Sequence, residues 1–466
     1  MSDPSPPSDS MSTDSSIVVT PTPARINVKL VKAFVQPDGS HGNGAGVVLL
    51  SEANQDGRFP SESDCLQIAK RVGLPETSFI LFPEESDVED GSKEKADFHV
   101  KWFTPECEVN MCGHATVALA GYIHSTIKEI PQQNRRFWRM QCKSGLLGIE
   151  VVDDSRKDSL PRVVMEQAIP EFCEVVHCNE IAASLNAKVA NDFAVTITDC
   201  DNGQYFPFPH CEIASTGGRD LMIPVRSTFL NKMDILGNSI TNDDCNDSER
   251  QQLCNKINVV SEQYDIVGYH MFEVDDRLFS SKANSTDNEI IEGNNAKEDF
   301  SIQLNELIQI SQEASKNGSS VVERCLEAVG IKHQDRNDRS KITTTVDPIP
   351  KSKTILVTGV RNFAPFVGIP EEPATGSANG ALACFLVKHL FLDAHCGTNG
   401  NGSSSNRQCL NFPVCFRFRM EQGRAMGEPC LIDAEIEVAN NEIRSVKVGG
   451  LVKVTGDSLN LDLTSS

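Results

Sequence analysis

Phe103-Thr104-Pro105, leading through Glu106 and Glu108 into Cys112-Gly113-His114-Ala115-Thr116 and the apolar Val117-Ala118-Leu119-Ala120, decides how this chain reads. Far downstream, Phe363-Ala364-Pro365 leads through Glu371-Glu372-Pro373 into Thr375-Gly376-Ser377-Ala378-Asn379-Gly380 and then Ala381-Leu382-Ala383-Cys384-Phe385-Leu386. Each stretch predicts an extended segment, a proline turn, a polar loop and a helix that opens on glycine and small residues. A first turn of Gly, Ala, Ser and Thr lets a ligand reach the free backbone N–H groups, and the helix dipole favours an anion there. Two such starts, Gly113 with Ala115 and Gly376 with Ala378, can grip one carboxylate between them. Small residues at a single helix start also serve close packing. It is the pairing, with Cys112, His114 and Ser377 at the mouths, that argues for a site.

Outward from these stretches the pattern alternates between strand and helix. Ile26 to Val35 predicts a strand, Pro37-Asp38-Gly39 and His41-Gly42-Asn43-Gly44 punctuate it, and Gly46 to Leu50 predicts the next. Ser63 to Val72 has helical spacing stopped by Gly73, and Ser78 to Phe82 returns to strand. Phe98 to Phe103 alternates into the first device, whose helix should end near Ile123, and Leu146 to Val152 follows as a strand. The second half offers Glu212 to Ser215, a Thr216-Gly217-Gly218-Arg219-Asp220 turn, Leu221 to Val225 and Asp265 to Val274. Val414 to Phe418, Ile432 to Val438 and Ile443 to Val454 close the chain.

The expectation is an α+β fold of two similar domains, residues 26–160 and 161–455, with a cleft between them. Residues 1–25, rich in Ser, Pro and Thr, read as a disordered tail, and 456–466 as a second tail. The polar stretch from about 275 to 352 reads as a low-complexity insertion carrying one helix from Ile302 to Ala314, and 397–406 as a flexible loop.

With 466 residues the chain suits two cores. A net charge of -22 argues against a nucleic-acid or anionic-membrane surface. Sixteen cysteines without a CxxC pair match no familiar zinc pattern and suit a reducing compartment. The first residues lack a basic start and an apolar run, so no secretory signal is expected, and no apolar run approaches a membrane span. A soluble, cytoplasmic protein is expected, with the homodimer as the default oligomer.

Taken in order, Gly42-Asn43-Gly44-Ala45-Gly46-Val47-Val48, Pro75-Glu76-Thr77-Ser78-Phe79-Ile80, Phe103 to Thr116, Ser215 to Asp220 and Glu372-Pro373-Ala374-Thr375-Gly376-Ser377-Ala378 resemble the phenazine-biosynthesis PhzF-like family. Gln422-Gly423-Arg424-Ala425-Met426-Gly427 and Lys447-Val448-Gly449-Gly450 extend the resemblance toward residue 455. It implies the diaminopimelate-epimerase-like fold, in which two β-sheets each wrap a central helix and the active site lies between domains. It also implies isomerisation of a small carboxylic acid without cofactor or metal.

By position, the resemblance makes Glu76, His114, Glu372 and Ser377 the expected catalytic residues, and Gly113 and Gly376 the glycines that let backbone N–H groups reach the anion. Glu76 would take a proton from carbon and return it elsewhere, with His114 orienting the substrate or assisting. By its own local sequence Glu76 would be an ordinary exposed strand-edge acid. Glu372 departs from the family's usual Asp, and one added methylene matters in a preorganised site. Cys112 would be a base in a related two-thiol racemase, but Ser377 at the other mouth is too weakly acidic to be its partner, and Cys384 should point into the core. Asp220 is expected to bind the backbone of its own turn. Two rival readings remain: a Cys112-dependent epimerase or dehydratase on the same fold, and a non-catalytic interaction protein that uses the acidic insertion.

Overall fold

The computed structural model describes residues 25–50, 58–82, 96–126, 137–152, 160–195, 207–233, 247–279, 301–317, 319–331, 349, 351–393 and 413–462. In chain order the first strands are β1 (Arg25–Val35), β2 (Asn43–Leu49), β3 (Glu76–Leu81), β4 (Phe98–Phe103), β5 (Glu108–Val109), β6 (Phe137–Cys142), β7 (Gly145–Val152), β8 (Arg162–Gln167) and β9 (Glu171–Val176). There follow β10 (Cys211–Ser215), β11 (Arg219–Arg226), β12 (Gly268–Val274), β13 (Ser301–Gln303), β14 (Lys351–Ala364), β15 (Ile369–Glu372), β16 (Val414–Gln422), β17 (Cys430–Ala439) and β18 (Glu442–Asp462).

Pairing traces a closed, barrel-like ring. β1 pairs β2, β2 runs parallel to β3, β3 pairs β4, and β4 runs parallel to β6. β6 pairs β7, β7 pairs β8, β8 pairs β18, and β18 returns to β1. A second mixed run leaves the same β18 through β17, β16, β14, β12, β11, β10 and β9. Closure matters because it leaves the ring no open edge.

The helix Gly113–Thr126 packs against β1, β2, β3, β7, β8 and β18, and every residue from Gly113 to Ile123 is buried. Its sequence explains this: Ala, Val, Leu, Tyr and Ile surround the axis with no charged stripe, and a helix apolar all round has to be covered on all sides. Leu119 and Ile123, fully buried, each contribute roughly 1.5–3 kcal/mol. The helix Gly376–Val387 is buried the same way except at Ser377, and packs on β10, β11, β16, β17 and β18.

Three expectations change. Within 275–352 the helix expected from Ile302 to Ala314 is found at Leu304–Lys316, but the stretch holds more than that: Ser301–Gln303 runs parallel to β14, a second helix spans Val321–Ala328, and the two helices bury Leu307, Ile308, Val322, Cys325 and Leu326 in the main core. The apolar residues of Val321–Ala328 stand at helical spacing between polar runs that masked them. Residues 456–462 are no tail but the end of β18, with Leu459 opposite Val28 and Leu461 opposite Ile26. The boundary drawn between 160 and 161 separates β7 from β8, which pair side by side, because the closing strands join the ring begun by β1. Of the expected tail 1–25, residues 1–24 lie outside the described residues, as does the loop 397–406, while Arg25 opens β1 opposite Asp462. Among those described, no helix is long and apolar enough to cross a membrane.

Candidate active site

The two helix starts meet. A Cβ built on Gly113 would stand 3.3 Å from Gly376 Cα and 3.5 Å from Ser377 N, a tight fit, whereas a Cβ on Gly376 would find only ordinary contacts at 3.5 Å, so the close approach weighs most on Gly113. Neither helix carries an acidic residue in its first turn to offset the dipole. Phe34 braces the contact from below. It lies at a β-bulge in β1 with φ +60°, an uncommon conformation for a bulky residue, and its Cζ would be 3.5 Å from a Cβ on Gly376.

His114, second in its helix, is 2 % exposed and flanked by two carboxylates. Its Nε2 lies 3.1 Å from Glu76 Oε2, and its Nδ1 lies 3.1 Å from Glu372 Oε1. Glu76 opens β3, where pairing with Ala45 of β2 places it, and it is buried rather than exposed as its local sequence suggested. Glu372 ends β15. The chain thus brings a strand start, a helix start and a strand end to one point.

The two glutamates are not equivalent. Both oxygens of Glu372 are engaged: Asn43 Nδ2 donates to Oε1 at 3.1 Å, and Thr375 Oγ1 donates to Oε2 at 2.6 Å. Gln422 Nε2 fixes the Glu372 carbonyl at 2.7 Å and its Oε1 accepts from Thr375 N and Asn379 Nδ2. Glu76 Oε2 and His114 Nε2, although 3.1 Å apart, are too bent for a hydrogen bond, and both are among the buried polar atoms without a hydrogen-bond partner within the described residues. Unpaired buried polar groups are costly and mark places where a ligand would supply the missing bond.

Burial, then the charge of Glu76, pushes the Cys112 thiol up to about 11, and its Sγ sits 3.4 Å from His114 Nδ1. Burial disfavours a charge on His114, yet Cys112, Glu76 and Glu372 together hold it well above the ordinary histidine range. Glu76, Cys112 and His114 place their donor atoms within 4.8 Å of one another, but an imidazolium has no lone pair to give a metal.

Ser377 stands at the second mouth, half-buried, with its hydroxyl toward the Thr216-Gly217-Gly218 turn. A Cβ on Gly218 would lie 3.9 Å from Ser377 Oγ and 3.6 Å from Asp220 Oδ2. Thr216 Oγ1 donates to the Ser377 carbonyl at 3.0 Å, which ties this turn to the helix start. Ala115 and Ala378 are fully buried within their first turns. Cys384 lies buried in the body of its helix, as expected.

Three contributors escaped the sequence reading. Asn43 lay inside a quoted motif, but only tertiary contact shows it orienting Glu372. Thr375 stood only within a quoted motif, and the structure shows its hydroxyl donating to Glu372. Asp220 does not bind its own turn: it is 1 % exposed, its Oδ1 is unpartnered among the described residues, and burial followed by the charge of Glu372 pushes its carboxyl up to about 7.

The profile described as phenazine biosynthesis-like protein matches residues 31–270 and 323–455. The isomerase YddE of Escherichia coli K12, itself uncharacterized, is 24% identical over 409 residues, covering 88% of this chain and 90% of that protein. The uncharacterized isomerase YfhB of Bacillus subtilis is 31% identical over 201 residues, covering 43% of this chain and 57% of that protein. The crystal structure of a phenazine biosynthesis protein of the PhzF family from Bacillus anthracis superposes with a TM-score of 0.53 at 17% identity, covering 94% of this chain and 99% of that one. That likeness speaks for the fold, a mixed-sheet architecture with a barrel-like sheet. On the extent of the family match, the chain belongs to the phenazine biosynthesis-like protein family.

Proposed function

We propose that this protein is a cofactor-independent isomerase that moves a proton on a small carboxylate-bearing substrate, with Glu76 as the general acid/base. The observation that carries the reading is the buried pair of unpartnered atoms, Glu76 Oε2 and His114 Nε2, set beside two abutting helix N-termini. Relatives named isomerases support the reaction class. In this reading the site lies between two domains, each formed around one of the two buried helices, in a cytoplasmic protein that defaults to a homodimer.

The substrate carboxylate is held by the N–H groups of the two first turns, where Gly113, Ala115, Gly376 and Ala378 keep side chains out of the way. A C–H beside that carboxylate is acidified as charge flows toward the oxygens, and the His114 imidazolium stabilises the developing anion. Glu76, the carboxylate with a free oxygen, takes the proton and returns it to another position. Glu372 positions His114 and keeps it charged. Its extra methylene is absorbed by the Asn43 and Thr375 contacts. Ser377 offers a hydroxyl to the far end of the substrate.

Solvent deuterium incorporation into a panel of small carboxylic acids tests this, because carbon-proton exchange registers without knowledge of the product. Exchange by the native enzyme, lost in Glu76→Gln while ligand still protects the fold, is the expected result. A fully active Glu76→Gln variant would sink the mechanism. The Cys112-dependent alternative predicts inactivation by iodoacetamide that substrate prevents. Burial and the raised thiol range of Cys112 argue against it.

A further inference from the structure

At the opposite end of the Gly376 helix a second cluster stands outside the reaction. Strand alternation puts His210 and Glu212 on one face at the start of β10, with Cys211 on the other. The helix passes after Val387 into a π-helical turn, Lys388–Leu392, which carries His389 to the same place. Such turns are rare and recur at functional sites. The helix axis separates this cluster from the glycine contact by about 20 Å.

We propose that His210, Glu212 and His389 form a binding site for a divalent transition metal, with zinc the best chemical match. One donor atom from each lies within 4.8 Å of the others, and His389 Nε2 is 3.1 Å from Glu212 Oε2. A tetrahedral zinc ion separates its nitrogen and oxygen ligands by about 3.3 Å, so small side-chain movements suffice. Two imidazoles and one carboxylate are a recurrent zinc set that leaves a fourth position open.

The surroundings fit the same assignment. Lys388 Nζ takes the other oxygen of Glu212 at 2.6 Å, leaving Oε2 as a one-atom ligand. Behind His389, Asp393 Oδ2 lies 3.8 Å from Nδ1, in the place of the carboxylate that commonly orients a metal-bound imidazole. Phe385, 4.4 Å from the His389 ring between centroids, and Phe208, at 6.4 Å, wall the inner side. His210 is half-buried and gives the ion access from solvent. An ion-pair network of Glu212 with Lys388 and His389 needs no second imidazole. Yet His210 stands ring-to-edge against His389 at 5.8 Å. A metal here would clasp the end of the Gly376 helix to β10 and so hold the helix whose other end forms the candidate active site.

The test titrates zinc into the chelator-stripped full chain by calorimetry and repeats it with cobalt, followed by visible absorption. One ion per chain is expected, with cobalt bands of a tetrahedral nitrogen-oxygen site and no thiolate charge-transfer band, which would report Cys112 instead. His210→Ala, at a half-buried position that folding should tolerate, is expected to weaken binding by about 100-fold or more, and Asp393→Asn by about 10-fold. Absence of stoichiometric binding, a thiolate band, or zinc affinity unchanged in His210→Ala each overturns the assignment.

Discussion

Gly113 and Gly376 meet backbone to backbone, and a Cβ on Gly113 would stand only 3.3 Å from Gly376 Cα, so a side chain there would have to push the two helix starts apart by a few tenths of an ångström. Two positive dipole ends repel, and in the proposed reading the substrate carboxylate offsets that repulsion.

Gly113→Ala should therefore separate the mouths. Alanine favours a helix interior by roughly 0.5–1 kcal/mol over glycine, so overall stability should change little. Substrate exchange should fall by about 10-fold or more, because the contact to be displaced is backbone and misplacement disrupts the oriented grip. Gly376→Ala, whose nearest neighbour would be at 3.5 Å, should be milder. Thermal unfolding beside deuterium exchange kinetics separates the two effects, and a parallel loss of stability and rate would contradict the claim.

Glu372→Gln keeps the length and removes one of the two charges beside His114. The imidazole pKa should fall, read by NMR titration of the ring, and exchange activity should fall with it. The sign for stability follows: a histidine raised in the folded state contributes stability fully present below its ordinary 6.5 and lost as pH rises through the folded value. The variant should lose most stability at pH 5, where that contribution is full, and progressively less as pH rises above neutrality.

Asp220 supplies a second pH signature. Its carboxyl moves from 3.8 to about 7 on folding, so the folded state binds the extra proton across that window. Its contribution is intact below pH 3.8 and is lost as pH rises through about 7, on the order of 1 kcal/mol per pH unit. Asp220→Asn, the same shape without the charge, should flatten that slope and be the more stable form at pH 8. Denaturant melts at pH 4, 6 and 8 decide it, and identical slopes in both proteins would refute the burial argument.

Gly121→Ala probes the ring and its helix. A Cβ there would meet Val452 Cγ1 at 2.5 Å and Val452 Cβ at 2.7 Å, the latter fixed to the β18 backbone. Overpacking of this kind costs about 1–3 kcal/mol. Chemical denaturation should show that loss, and the double variant Gly121→Ala with Val452→Ala should recover part of it.

Local pattern made much of this protein readable. The helix expected to end near Ile123 runs to Thr126, and the one expected at Ser63 to Val72 begins at Glu62 and stops at Gly73. Both follow from periodicity and stop signals near in sequence. The helix expected from Ile302 to Ala314 runs from Leu304 to Lys316, whereas polar interruptions hid Val321–Ala328, and the mixed polar end of β18 read as a tail because its pairing partner, β1, lies at the other end of the chain. Glu76 was found through its motif, while its burial was not foreseen, since β2 and β4 cover it from either side.

The sequence by itself determined the two glycine-led helix starts and their order, because helix signals and small-residue preferences act over a few neighbouring residues. Only the tertiary structure decided that those starts abut, that Glu76 Oε2 meets His114 without a hydrogen bond while Asn43 and Thr375 engage Glu372, and that Asp220 is buried with Oδ1 unpartnered among the described residues. Charge, burial and hydrogen bonding depend on what stands within a few ångströms, and here those neighbours come from strands and helices distant along the chain.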